Sequence, residues 1–566
     1  MREGILILRI RKGSDFVENT EKKVQWLKLL FPWILVLAVY ALVWLFLGVR
    51  YEVNDDATLC NIAAGAYGEE SQYLIYINIL IGYILKPLYW IAPSINWLYF
   101  IQTGADVAAL AVLCQMLLDR CGYRRGSVLS GLLLLLVGVD LFYSFQYVKN
   151  SGLYLIVGLA LMAQHLGRWD RGTFWGTFWV LLGSMVRFQN FPAVGGMAAA
   201  LLLLRFFSLD LSSKKKAVAA MVLMFFLVGA VKGVDILAYR MDDGWKAYTE
   251  YNAARTEISD FRLQYVTAEE MSSFGYSAND YDTLHSWSFW DDNVFNTQAL
   301  EELAQKLPKN GLLSAAKDAV HYCLTILQDN APFHLLLSGV VLLWLFYGRK
   351  KGSWAFIATG VLYVCMVYYL ALRGRYPHRV EFVLVVAAAI FALLCCDWQG
   401  RERKIPIKVL CFFAVGILIV CSPYLKERHD FMEGYRSGRQ PRAEYTEYSQ
   451  DKEHLYLVDV DALDALAGYD VLHPREKNFF SNIVVMGGWL SHAPHRVEAL
   501  AQYGVENPYL DMIDNDTVYL IDYYNVSAKE VYLKEHYGLN VEREMLREEQ
   551  FNLYQMHSVT DIESEN

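Results

Sequence analysis

The chain has 566 residues, 55% of them apolar and only 20% charged, with a formal net charge of −9. The apolar residues lie in long uncharged blocks rather than at helix or strand spacing, which excludes an ordinary soluble globular protein. The charges are segregated around those blocks, so the net value does not point to nucleic acid as a partner.

The first block, "LLFPWILVLAVYALVWLFLGV" (29–49), runs 21 residues without a charge, enough to cross a ~30 Å hydrocarbon core. It is too long for a signal-peptide h-region and no small-residue cleavage site follows, so it is read as retained. Further blocks occupy 95–118, 127–145, 152–166, 173–190, 191–207, 217–238, 331–348, 354–372, 380–396 and 406–422. The run 73–93 is ambiguous, and the positive-inside rule arbitrates. Arg9, Arg11, Lys12, Lys22, Lys23 and Lys28 place the N-terminus in the cytoplasm. If 73–93 crossed, the basic turns "DRCGYRRG" (119–126), "SKKK" (213–216), "GRKKG" (348–352) and "GRERKIPIK" (400–408) would all face outward. If 73–93 lies on the outer surface, all of them face the cytoplasm. Tyr73, Tyr76, Tyr83, Tyr89 and Trp90 suit an interfacial layer, and Lys86-Pro87 breaks the run.

The predicted fold is an α-helical polytopic membrane protein with about 11 transmembrane helices and a small extracytoplasmic α/β domain at the C-terminus. Residues 1–26 form a cytoplasmic tail. Residues 27–423 form the transmembrane domain, with a first outer loop (50–94) and a large outer loop (239–330). Residues 424–566 lie outside. "RFQNFP" near 190 leaves little room for a turn, so that helix pair is expected to be short or broken. In the last segment "HLYLVDV", "NIVVMGGWL" and "TVYLIDYY" read as strands, and "HRVEALAQYGV" and "SAKEVYLKEHYG" as helices, the second with a glycine stop. The "GG" marks a turn or a close backbone approach. The tail "TDIESEN" is expected to be disordered. None of the nine cysteines follows Cys421, which argues against a disulfide-stapled exterior; Cys60 and Cys323 are a pair that could both face outside.

Charged residues at helix ends gather on the predicted outer side. Asp55 and Asp56 follow the first span, Asp140 and Lys149 flank a turn, Arg187 ends the 173–190 block, and Lys232 and Asp235 end the 217–238 block. "RGRYPHR" supplies Arg373, Arg375, His378 and Arg379 on a side where basic residues are disfavoured. Arginine suits fork-like recognition of phosphate, so this turn, with Arg187, reads as a site for a lipid phosphate. One of the two aspartates reads as a base and the other as a helix cap, with Asp55 the better base because Asp56 lies nearer the following amides. Arg187 also suits snorkelling, and Asp106, in mid-span, suits either a site or an interhelical hydrogen bond. "HSWSFWDDNVF" (285–295) offers Trp287, Trp290, Asp291 and Asp292 to a sugar ring, or else to loop packing. No His/Cys set has zinc spacing, and Walker, dinucleotide and G-x-S-x-G signatures are absent. No metal site and no certain cofactor follow, although an acid pair leaves room for a divalent cation.

An acid pair directly after the first span, an amphipathic outer segment, and then a span ending in a basic turn resemble the GT-C glycosyltransferases, which include the protein O-mannosyltransferases and the lipid A aminoarabinose transferases. "NDDATLCNIAAGAY" corresponds to the acidic motif and first juxtamembrane helix, and "YLIYINILIGYILKPLYW" to the second. The His-Pro-Pro-Leu pattern of many members is replaced by "YLIYINILIG". Over most of its length the chain is also similar to multispanning proteins of Gram-positive gut bacteria. The shared features are the NDD loop, a "YNAAR"-like stretch containing Asn252 and Arg255, a W-x-F-x-D-D-like stretch, and "GGWL". The resemblance implies a transferase in a bacterial plasma membrane, with a polyprenyl-phosphate-linked sugar as donor and Asp55 or Asp56 as base. The acceptor would be a cell-envelope glycan, lipid or protein. The large loop and the C-terminal domain, Asn252 and Arg255 among them, would shape the acceptor site, while the C-terminal domain is expected to carry no chemistry. A lipid-linked glycan polymerase or ligase, a transporter or flippase, and a scaffold are the alternatives.

Overall fold

The computed structural model describes residues 28–347, 350–396, 405–437, 443–460, 462, 470–522, 525–548 and 551–559. The basic N-terminal tail, parts of the basic turns at 348–352 and 400–408, and the "TDIESEN" tail lie outside these residues.

The chain is mostly helical. Helix α1 (Lys28–Leu47) is followed in the first loop by α2 (Asn54–Ala64) and α3 (Ile79–Ile91). Then come α4 (Trp97–Cys121) and α5 (Tyr123–Leu133), the latter running through a π-helical turn at Leu134–Gly138 into α6 (Val139–Tyr143). Next are α7 (Tyr147–Gln164), α8 (Arg171–Val186), α9 (Asn190–Phe207) and α10 (Leu211–Met241). The large loop holds α11 (Asp243–Thr256), α12 (Ala278–His285) and α13 (Thr297–Lys306). It leads into α14 (Leu312–Asp329), α15 (Ala331–Tyr347), α16 (Lys350–Arg373), α17 (His378–Cys395) and α18 (Ile407–Ser437).

Among the described residues, eight helices are long and apolar enough to cross a membrane: Lys28–Leu47, Trp97–Cys121, Tyr123–Tyr143, Asn190–Phe207, Leu211–Met241, Gly352–Arg373, His378–Cys395 and Ile407–Tyr435. The three other expected spans map to α7, α8 and α15. Helices α8 and α15 have only 16 and 17 residues. Helix α7 opens with Lys149, Asn150 and Ser151 and is buried along nearly all its length, so its neighbours are protein rather than lipid. It packs on α8 with little room for side chains: a Cβ at Gly158 would sit 2.7 Å from the Val180 backbone nitrogen, and small residues are what allow helices to approach this closely. The link from α8 to α9 is only Arg187-Phe188-Gln189. Asn190 holds it by donating to Val148 O and Ser151 Oγ at 2.8 and 3.1 Å.

Helix α3 has 13 residues, a rise of about 20 Å, which is short of a hydrocarbon core. Asn78 starts it by accepting from Leu80 N, and Tyr83, Ile84, Trp90 and Ile91 are exposed on its outer side. The first loop is tied to the bundle by a two-residue parallel ladder of β1 (Arg50–Tyr51) on β2 (Ser144–Phe145). Cys60 and Cys323 are both free thiols.

After α18 comes α19 (Ala443–Gln450), then a five-stranded mixed sheet of β3 (Leu455–Val458), β4 (Ile483–Val485), β5 (Val518–Asp522), β6 (Val541–Arg547) and β7 (Asn552–Ser558), in the order β4-β3-β5-β7-β6. Strands β4, β3 and β5 run parallel, whereas β7 is antiparallel to β5 and β6. Helices α20 (Pro494–Ala501), α21 (Pro508–Asp511) and α22 (Val526–Tyr537) accompany the sheet. The three strands and two helices read from the sequence are present, and Gly538 ends α22 in the left-handed conformation at φ 68°. The large loop shares a core with this sheet: Ile258, Phe289, Trp290 and Leu303 pack with Leu457, Leu520 and Tyr532.

At the C-terminal ends of β3 and β5, the ammonium of Lys529 lies 2.5 Å from Asp459 and 2.6 Å from Asp522, all three side chains being buried. Removing the cation leaves two buried carboxylates facing one another. Lys529→Met is therefore expected to cost about 3–5 kcal/mol and to lower the thermal unfolding midpoint of the purified protein clearly. Lys477→Met removes pairs with Glu69 and Glu70 from a lysine that is 41% exposed, and should cost about 1 kcal/mol.

Candidate functional site

A cavity of about 1070 Å³ opens where one end of the bundle meets the large loop and the C-terminal sheet. Its floor comes from helix ends: Asn54 and Asp55 at the start of α2, Arg187 after α8, Arg373 at the end of α16, and Pro377 and Arg379 at the start of α17. Its walls come from Arg255, Asp260, Trp287 and Trp290 of the large loop and from Phe480, Trp489 and Arg496 of the C-terminal segment. Six arginines and two aspartates line it, so it is strongly electropositive.

The adjacent acids Asp55 and Asp56 diverge, as adjacent helical residues must. Asp55 lines the cavity and lies 3.7 Å from the Arg379 guanidinium. Burial pushes its carboxyl above the ordinary 3.8, while Arg379, Arg187 and Arg375 pull in the opposite direction without cancelling the rise. Asp56 has no exposed surface, and burial raises it well above 3.8. The side chain of neither acid caps α2, whose N-cap residue is Val53. Asp56 instead accepts from Tyr147 N at 2.8 Å, so it satisfies a free amide at the start of α7.

The turn at 373–379 points in two directions. Arg373 bonds to Glu257 at 2.7 Å and Arg375 to Asp260 at 2.6 Å, both acids belonging to the large loop. Arg373 also lies over the Phe261 ring at 4.1 Å. His378 does not line the cavity. It stacks on Phe333 at 5.4 Å, and its ring nitrogens face Glu381 and Asp140 at 3.2 and 3.4 Å. Arg187 lies over Tyr76 and Tyr147 at 5.0 and 5.7 Å, and its Nη1 is buried without a partner.

The tryptophan wall is held from behind. Trp287 has φ 63°, a conformation that costs a non-glycine residue energy and persists where surroundings impose it. Its carbonyl accepts from Gly488 N at 2.9 Å, Ser288 Oγ donates to Asp459 at 3.0 Å, and Tyr509 OH donates to Ser288 O. Trp290 is buried and hydrogen-bonded through its backbone to Met486 O. Asp291 is a fastener, accepting from Tyr532, Tyr537 and Asn507 at 2.8, 2.6 and 2.8 Å. Asp292 pairs with His492 at 2.7 Å, and Asn252 supports Arg255. Asn252, Asp291 and Asp292 thus stand behind the cavity surface rather than on it. Asp106 is buried in α4 and is not part of the lining.

Sequence reasoning missed Asp260 and Arg496, and nothing in their local sequence marks them. The C-terminal segment, expected to shape the site without carrying its chemistry, supplies one wall. One group of potential metal ligands, Asp280, Glu535 and His536, occurs among the described residues, and none of the three lines the cavity.

Gly487 carries the contact that positions Trp287. A Cβ there would collide with the Trp287 carbonyl oxygen, which is backbone and cannot rotate away. Gly487→Ala is expected to detach the wall, seen as increased solvent accessibility of Trp287 in tryptophan-fluorescence quenching, while Gly488, with nothing within 4 Å of its own Cβ position, is constrained only by its φ of 75°. Comparison with known proteins returns no match, whether with family models, curated proteins or solved structures.

Proposed function

We propose that this chain is a GT-C-type glycosyltransferase of a bacterial plasma membrane, moving a sugar from a polyprenyl-phosphate donor to a cell-envelope acceptor on the outer face. The observation that carries the reading is the convergence of Asp55, Arg187, Arg375 and Arg379 in one cavity at helix ends with Trp287 and Trp290. In the proposed reaction the acceptor hydroxyl oxygen attacks the anomeric carbon and its proton passes to Asp55. The bond from that carbon to the phosphate oxygen breaks with inversion, and the electron pair leaves on the phosphate. Arg375 and Arg379 stabilise the charge that develops there. Proton removal of this kind typically contributes 10²–10⁴-fold. All eleven expected segments are counted as spans in this reading, α7, α8 and α15 included.

A transporter or flippase is the second reading. The buried cluster of Glu52, Lys149, Asp140, His378 and Arg428 favours it, since ionisable groups inside a bundle often mark a transport path.

Transfer from a polyprenyl-phosphate sugar, measured with the purified protein in nanodiscs, separates the two. Asp55→Asn should abolish most turnover while donor lipid still binds, and Asp56→Asn should cost less because an amide oxygen still accepts from Tyr147. Arg375→Ala should weaken donor binding, with little rescue by lysine if recognition is bidentate. Because burial raises the Asp55 carboxyl above 3.8, turnover should rise with pH along a limb displaced upward from that value. Arg379→Gln removes the largest downward pull and should move the limb higher still. Near-normal transfer by both asparagine variants would sink the mechanism.

Orientation is testable separately. Reporters fused after residue 94 and after Gly122 should report the outside and the cytoplasm, respectively. An outside report at Gly122 would mean that 73–93 spans and that the count of eleven is wrong.

A further inference from the structure

One wall of the cavity carries a cation that no acidic side chain neutralises. Arg255, in the last turn of α11, is 2% exposed and lines the cavity. Its Nε and Nη2 donate to Asn252 Oδ1 at 3.1 and 2.7 Å, and Nη2 also donates to Thr256 Oγ1 at 2.9 Å. Both acceptors are neutral. Nη1 is buried with no partner. Among the described residues no carboxylate pairs with Arg255, as none pairs with Arg187 or Arg496, whereas Arg373, Arg375 and Arg379 each have one; Arg496 donates to the Phe480 and Ile483 carbonyls. A buried charged donor left unpaired is costly, and a bound anion would offset that cost.

What stands next to the unpaired group defines the ligand. The guanidinium lies 4.9 Å from the centre of the Trp287 ring, on the wall that also carries Trp290. An aromatic face offers a flat apolar platform, and the apolar face of a sugar ring fits one. The guanidinium covers one face of Trp287, and a sugar ring against the rest of this wall stands in the same cavity as Arg255. The backbone strain at Trp287 and its fastening by Gly487 and Gly488 hold this platform in place before any ligand arrives.

We infer that Arg255 and Trp287 form a subsite for an anionic sugar, a ring bearing a carboxylate or a phosphate, separate from the donor phosphate at 373–379. Arg255 is the specificity-determining residue, and Asn252 positions its fork. The inference rests on reading the cavity as a glycosyl-transfer site, and it narrows the sugar or acceptor to an acidic one.

The test is binding of D-glucuronic acid, glucose 6-phosphate and glucose to the full-length protein in nanodiscs, read by saturation-transfer NMR titration. At least one charged sugar should bind about tenfold or more tightly than glucose, the size expected of a hydrogen bond to a charged group. Which of the two prevails separates carboxylate from phosphate. Arg255→Gln should abolish the preference, a loss of about tenfold for the charged sugar, and leave polyprenyl-phosphate binding within about twofold of wild type. Arg255→Lys, which keeps the charge, should retain part of the preference, and Trp287→Ala should weaken all three sugars. The inference is overturned if glucose binds as tightly as the charged sugars, if the preference survives Arg255→Gln, or if no sugar binds. Failure of polyprenyl phosphate to bind the wild type, with the charged-sugar preference intact, would instead overturn the donor assignment.

Discussion

A lysine with no exposed surface governs the geometry of this molecule. Removing an ammonium from water costs many kcal/mol unless charges and hydrogen bonds replace the water. Lys149, in the first turn of α7, meets Glu52 of the first loop at 2.8 Å, Asp140 of α6 at 3.1 Å and Ser144 Oγ at 2.7 Å. Asp140 in turn takes Tyr424 and Arg428 from α18, both at 3.1 Å, and faces His378 of α17. A single buried charge thus registers the first loop and four helices of the bundle, α6, α7, α17 and α18. The β1–β2 ladder lies beside this cluster, and from it the chain enters α2 with Asp56 on the amide of Tyr147 and Asp55 turned to the cavity.

The turn at 373–379 shows how one segment serves both places. His378 faces the buried cluster while Arg379, its neighbour, faces Asp55. Movement of the turn would disturb both sets of charges together, so the cavity's arginines are pre-positioned by a network they do not belong to. Three of them are also restrained by acids, two of which come from the large loop. Fixed charges of this kind stabilise a developing anion without reorganising.

The legible features are those decided locally. A long, nearly uncharged run has few alternatives to a membrane helix, and among the described residues eight helices are long and apolar enough to cross one. The acid pair and the basic turn were visible because charges are conspicuous beside apolar blocks. Glycine at 487 was readable as a close approach, although its partner was not. What the sequence hid depends on distant contacts. Asp56 binds an amide 91 residues away, so its local reading as a cap for α2 was natural and differs from its place in the structure. His378 sits among cavity arginines in sequence and turns away in space because Asp140 lies behind it. Strand β6, "VEREMLR", escaped notice because it is charged and almost wholly exposed at the sheet edge; β7, which joins it to the sheet, was not read either.

The fastening of the tryptophan wall bears on how the molecule is made. Asp291 waits for Tyr532, which emerges 241 residues later. At about 5–20 residues per second of synthesis, that interval is roughly 10–50 s. Of the groups that fasten this wall, Asp459, Gly488 and Tyr509 are made within that interval and Tyr532 last. Biogenesis therefore ends, rather than begins, with closure of the cavity. A chain that ends before residue 480 lacks Phe480, Trp489 and Arg496, the wall that this segment gives the cavity.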